Sequence, residues 1–151
     1  MTLTHLDEHG RPRMVDVSAK PDSHRVARAT GFIRLQAETI DRIQSRQIHK
    51  GNVLVTAELA GVQAAKQTPL LIPLCHTLLL EQITVEAMLE AEGIRITTEV
   101  KCTGQTGVEM EALTGTSVAL MTIYDMCKAV DKIMVIESIQ LLEKTKIPIK
   151  A

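Results

Sequence analysis

Aromatic side chains are nearly absent from this 151-residue chain: Phe32 and Tyr124 are its only rings, and it has no tryptophan. Two rings cannot build the stacking platform on which single-stranded nucleic acids rest. A dominant charge is missing as well. Seventeen basic residues face eighteen acidic ones, a formal net charge of −1, so no field spans the molecule to hold a phosphate backbone. Nucleic acid is not an expected partner. Cysteine is scarce: Cys75, Cys102 and Cys127 are odd in number, widely spaced and without a Cys-x-x-Cys pair. That pattern makes neither a disulfide framework nor a zinc site, and reduced thiols suit an intracellular protein. No apolar run approaches the roughly 20 residues that cross a bilayer. The longest, Pro69 to Cys75 and its flanks, holds two prolines. The stretch Met1 to Gly10 lacks the basic start and apolar continuation of a secretory signal. A cytoplasmic protein with no membrane partner is expected.

What is present is ordinary for a globular domain, with 45% hydrophobic and 23% charged residues. Residues 1–24, with Gly10-Arg11-Pro12-Arg13 and Lys20-Pro21-Asp22, read as a flexible amino-terminal arm, and 25–151 as one catalytic domain. From Arg25, residues Val26, Arg28, Thr30, Phe32 and Arg34 alternate with Ala27, Ala29, Gly31, Ile33 and Leu35, which suits a strand. Isoleucines 40, 43 and 48 predict a helix over 37–48, stopped by Gly51. A second helix is predicted over 53–67, closed before Pro69. Two β-rich runs, 78–90 and 94–102, flank Glu92-Gly93 as a hairpin. A long helix is predicted from Val108 to about Val130, and a last strand over 134–142. The order β, α, α, β, β, α, β is a split βαβ plan with one extra helix. It implies a ferredoxin-like α+β sandwich with a four-stranded antiparallel sheet and helices on one face. The other face would be open, and a second copy of the chain is expected to cover it.

The richest stretch chemically is Ala119–Val130. Asp125 and Lys128 are three apart, so on a helix they share a face and can touch. Apolar neighbours surround them in sequence, and a pair so placed is expected to be partly desolvated. It could then poise Lys128 as a proton donor or acceptor. An ordinary surface ion pair is the alternative. His76, after Pro73-Leu74-Cys75, could bind phosphate or move a proton, or simply satisfy a loop backbone group. Lys50 and Lys66 read equally as site cations or as solvated lysines. The loop Thr103–Gly107 opens a helix as a loose phosphate cradle, yet it is no Walker loop, and Glu109 and Glu111 follow at once.

Several stretches together resemble one family. They are Met14–Lys20, His49-Lys50-Gly51, Leu59–Lys66, Leu71–His76, Thr106–Thr114 and Leu120–Val130. In this order they are similar to the cyclic pyranopterin monophosphate synthases, the molybdenum cofactor biosynthesis protein C family. The resemblance implies a ferredoxin-like fold and a homohexamer, a trimer of dimers with sites at dimer interfaces. It implies conversion of 3′,8-cyclo-7,8-dihydroguanosine 5′-triphosphate to cyclic pyranopterin monophosphate and pyrophosphate. No cofactor is required under it, although magnesium could accompany the triphosphate. By motif match, Lys50, Asp125 and Lys128 take the catalytic positions. Arg25, Lys66, His76 and Lys144 fall at the triphosphate and its neighbouring groups. Cys75, Glu109, Met110 and Glu111 line the purine-derived end. Two departures stand out: Thr77 replaces the usual proline, and the tail 141–150 lacks a Gly-Gly-Lys-Ser-Gly run, so Lys146 is an alternative to Lys144. Outside this family, the residues also allow a non-catalytic metabolite-binding module. A nucleotide phosphohydrolase would need a carboxylate metal cluster that the sequence does not display.

Overall fold

The structure is a computed structural model and describes residues 5–149. The first four residues of the expected arm and the last two of the expected domain lie outside that range. The elements are β1 (Ser23–Arg34), α1 (Ala37–Gln44), α2 (Val53–Lys66), α3 (Thr68–Leu71), β2 (Leu80–Glu90), β3 (Gly93–Gly104), α4 (Glu109–Cys127) and β4 (Val135–Pro148). The predicted order is found, with the short α3 added where Pro69 fits a first helical turn. All strand pairs are antiparallel and the sheet order is β2-β3-β1-β4. This is the ferredoxin-like arrangement.

Alternation along the strands fixes which face meets the helices. Ile94, Ile96, Thr98, Val100 and Cys102 of β3 are buried beneath α2 and α4, together with Ala27, Ala29 and Ile33 of β1. The intervening residues make the opposite face, and it is polar. There Arg28 lies 3.6 Å from both Glu99 and Glu143, and Lys101 lies 3.2 Å from Glu99. Exposed apolar side chains stand singly among these charges, as Met88 beside Arg95 and Ile147 beside His24. Exposed apolar side chains gather instead on the outer side of the helices, as Val55, Leu59, Met121 and Tyr124, and along β4.

Three boundaries differ from the sequence reading, each for a local reason. The first helix stops at Gln44 rather than Ile48, because Arg46 takes a left-handed conformation (φ 55°). Gly51, at φ 105°, shapes the turn before α2 instead of stopping α1. The last strand runs to Pro148, six residues beyond Leu142. It pairs along β1 from Ser23 opposite Pro148 to Arg34 opposite Val135, with register shifts after Arg28 and at Gly31. Helices α2 and α4 cross where Gly61 faces Gly115. A Cβ on either would come within 3.1 Å of the other's carbonyl oxygen, so the absence of side chains sets the interhelical distance.

Candidate active site

Ten of the eleven residues singled out from the sequence fall at the two ends of α4, and Lys66 lies at the end of α2. At its carboxyl end, the Asp125 carboxylate is held between two lysines. Lys128 Nζ lies 2.7 Å from Oδ1 and Lys50 Nζ 2.6 Å from Oδ2, and Lys50 also donates to the Asp125 carbonyl at 3.0 Å. Lys50 reaches this point from the turn that Gly51 shapes. Hydrogen bonds from Lys128 and then Lys50 pull the Asp125 pKa down to about 2, while the same pairing raises that of Lys128.

The structure corrects one expectation here. The cluster is not desolvated by its own chain: the side chains of Asp125, Lys128 and Lys50 are 54%, 58% and 46% exposed. The apolar neighbours in sequence, Leu120, Ile123, Met126 and Cys127, turn toward the core. Residues adjacent in a helix do not share a face, so apolar sequence surroundings did not mean apolar spatial ones. Within this chain Lys128 is a stabilised cation rather than a lysine poised to lose its proton.

At the amino end of α4 lies a cavity of about 390 Å³. Cys75, His76, Glu109, Met110 and Glu111 line it, so five of the expected residues meet in one place. Glu111 is 3% exposed, and burial, reinforced by the charge of Glu109, raises its pKa. Burial raises the Cys75 thiol as well. His76 donates through Nε2 to the Val15 carbonyl at 2.6 Å, which is the backbone-satisfying role weighed for it, and it still faces the cavity. That bond brings the amino-terminal segment over the site. His5, Val15, Val17 and Lys20 of that segment also line the cavity, and the sequence alone assigns none of them chemistry. The one available signal was Met14–Lys20, which matched the family pattern without a titratable motif to flag it.

A neighbouring hollow of about 250 Å³ shares Gly107 and Glu109 with the cavity and brings Arg25, Lys144 and Lys146 together. Lys144 and Lys146 are two apart on β4, opposite Ala27 and Arg25 of β1, so the strand presents both. Both line the hollow. Lys144 pairs with Glu109 at 3.0 Å, and the Arg25 guanidinium donates to the carbonyls of Gly104 and Gln105, fixing the loop that precedes α4. Three cations and one carboxylate thus meet beside a helix amino terminus, an arrangement that could receive an anion. Lys66, at the end of α2, lines a third hollow adjoining the cavity through Leu78. Among the described residues, no group of three His, Cys, Asp or Glu is arranged to hold a metal ion.

Sixteen residues separate Glu109 from Asp125 on one helix. At 1.5 Å per residue, the cavity and the lysine–aspartate cluster of one chain stand about 24 Å apart. One chain does not bring them to one small molecule.

Comparison with known proteins bears on the same residues. The model of the MoaC family matches residues 14–146, a span that includes both ends of α4 and all eleven positions. A protein of Desulfitobacterium hafniense named cyclic pyranopterin monophosphate synthase is 57% identical over 151 aligned positions, covering 96% of this chain and 90% of that relative. A second of the same name, from Novosphingobium aromaticivorans, is 56% identical over 142 positions, covering 94% of this chain and 90% of its own. With a family match over most of its length and relatives of this identity, the chain belongs to the MoaC family.

Proposed function

We propose that this chain is a cyclic pyranopterin monophosphate synthase. It converts 3′,8-cyclo-7,8-dihydroguanosine 5′-triphosphate to cyclic pyranopterin monophosphate and pyrophosphate in molybdenum cofactor biosynthesis. Family membership supports the reaction. The observation that carries the site is the division of α4, with acid–base groups at one end and a cavity with a cationic margin at the other.

The reaction opens a five-membered ring, builds the pyranopterin and closes a cyclic phosphate, and every step moves protons. General acid–base groups contribute about 10²–10⁴-fold each. Lys128 is the principal proton carrier, Asp125 holds and tunes it, and Lys50 serves the ring being opened. Arg25, Lys66, His76, Lys144 and Lys146 neutralise the triphosphate and the charge that develops on departing pyrophosphate. Cys75, Glu109, Met110 and Glu111 face the purine-derived end, where the buried Glu111 meets ring N–H groups. Side chains suffice for the proton chemistry, so no resident cofactor is required, and magnesium could accompany the triphosphate. The setting is the cytoplasm; no helix among the described residues is long and apolar enough to cross a membrane.

The 24 Å gap is closed by a second copy. A two-fold axis beside Ser117 would run two α4 helices antiparallel. It would set Tyr124 against Met110 and Met121 against Leu113, and bring each Asp125–Lys128 pair to the partner's Glu109 end. The exposed Met110, Met121 and Tyr124 on this face suit such burial. A homohexamer, a trimer of such dimers, needs a second kind of contact. The exposed apolar residues of β4 supply it. The direct test is incubation with the cyclised dihydroguanosine triphosphate. Pyrophosphate and pterin are expected in equal amounts, and Lys128→Ala is expected to abolish both with oligomer size unchanged. Wild-type turnover in that variant, or no product from the intact protein, would refute the assignment.

A further inference from the structure

Asp131 is 1% exposed, and nothing in the chemistry above uses it. Its carboxylate accepts four hydrogen bonds. Oδ2 takes the Gln36 backbone N–H at 2.9 Å and the Thr39 hydroxyl at 3.0 Å. Oδ1 takes the Gln36 side-chain amide at 3.0 Å and the Ile133 N–H at 3.1 Å. Its own N–H donates to the Cys127 carbonyl at 2.9 Å, closing the turn that follows α4. Gln36 is the residue that opens α1, and its side chain does not cap its own helix. The cap arrives instead from 95 residues away in sequence.

The two segments that meet at this carboxylate are the two that carry the lysines. Lys128 lies three residues before Asp131 on the turn it closes. Lys50 lies on the connection that leaves α1, whose first turn Asp131 grips. Lys50 and Asp125 form an exposed polar contact between these segments and Asp131 a buried one, beside a shared apolar core of Ile40, Ile43, Ile48, Ile123, Met126 and Cys127. We infer that Asp131 is a positioning residue of the reaction: it fixes the distance of Lys50 from Asp125 and Lys128 by bolting the start of α1 to the turn after α4. The inference rests on the reading of Lys50, Asp125 and Lys128 as the acid–base cluster.

A carboxylate suits the place best. Four donors converge on its lone pairs, and in either orientation an amide would point one hydrogen at a backbone N–H, of Gln36 or of Ile133, that cannot accept it. Burial works against the charge, but the hydrogen bonds from Gln36, Ile133 and Thr39 outweigh it and hold the pKa low. Catalytic geometry is sensitive at this scale, a misplacement of about 1 Å costing roughly a hundredfold in rate.

The test is a graded series in the full assembly, Thr39→Val and Asp131→Asn, read three ways: kcat against KM, thermal stability, and the titration of a ¹³C-labelled Asp125 carboxyl. Thr39→Val removes one donor at nearly constant shape, so it remains informative where Asp131→Asn fails to fold. We expect kcat to fall roughly tenfold or more with KM little changed, because substrate cations sit elsewhere. The Asp125 midpoint should rise part of the way from about 2 toward 3.8 as Lys50 moves away, while Lys128, three residues on, stays paired. Folded variants with wild-type kcat and an unmoved Asp125 midpoint would overturn the inference, as would loss of activity only in proportion to loss of folded protein. Lys50→Ala and Lys128→Ala run alongside. Activity retained there sinks the cluster itself, whereas activity lost there but kept in the Asp131 series sinks only the role of Asp131.

Discussion

Active-site complementation offers the sharpest check on a site divided between copies. Two variants are co-expressed in equal amounts. One carries Lys128→Ala and so lacks a working cluster; the other carries Lys66→Ala with Lys144→Ala and lacks part of the polyanion margin. Both defects sit on exposed side chains, so each chain should fold and pair normally. Random pairing makes half of the dimers mixed. Each mixed dimer has one site that combines the intact cluster of one chain with the intact cavity of the other, and a second site with both defects. About a quarter of all sites are then whole, so activity should return to about a quarter of wild type while either parent alone stays near zero. Pyrophosphate release per mole of protein is the assay. The figure follows from the roughly 24 Å between Glu109 and Asp125 along α4, since a site contained in one chain could never be restored by mixing. A mixed preparation no more active than the mean of its parents, with mixed dimers verified by tag, would refute the division.

Other consequences can be checked independently. Ser117→Cys should cross-link two copies on mild oxidation, because a residue beside a two-fold axis meets itself; only monomer on a non-reducing gel would move the axis elsewhere. The depressed Asp125 pKa contributes stability that is present above 3.8 and lost as pH falls toward about 2. Asp125→Asn should therefore flatten the stability curve in that window, and an unchanged slope in acid unfolding would count against the pairing. Gly115→Ala sets overpacking of roughly 1–3 kcal/mol against about 1 kcal/mol of gained helix propensity. The Gly61 carbonyl and the Thr98 methyl, both 3.1 Å from the added Cβ, decide for overpacking, so the melting temperature should drop; a rise would show that α2 yields freely. Alkylation at neutral pH should label Cys75 before Cys102 and Cys127, which are buried with pKa values near 11, and pyrophosphate or substrate should slow it. Equal labelling of all three thiols would contradict the packing.

How much of this was legible in the sequence depends on the range over which each signal acts. Glu92-Gly93 and its flanking alternation announced the hairpin, and observed pairing of Glu90 with Gly93 leaves a two-residue turn. The long run after Gly107 announced α4. These are local signals, and they sufficed for the element order and hence the fold. The end of β4 was not local. Glu143-Lys144-Thr145-Lys146 has little intrinsic strand preference and is held by hydrogen bonds to β1, more than a hundred residues earlier. The site divides the same way. Asp125 and Lys128 were readable as an i, i+3 pair, but Lys50 arrives from 75 residues away, and Asp131 works through Gln36 and Thr39. Family resemblance supplied Lys50 without a physical reason, and the fold supplies one. Asp131 was visible to neither, since a buried acceptor of four bonds looks in sequence like any aspartate after a helix.

The corrected electrostatics of Lys128 carry the last step. In the single chain its partner Asp125 stabilises its charge and open solvent leaves that charge hydrated, so it holds its proton tightly and offers no free base. A base requires the opposite influences, which are desolvation and neighbouring positive charge. Both would come with the partner's helix and with Arg25, Lys144 and Lys146 at its far end, and the triphosphate then neutralises those same cations when it binds. On the proposed dimer, the protonation state of the cluster would follow assembly and occupancy of the cavity.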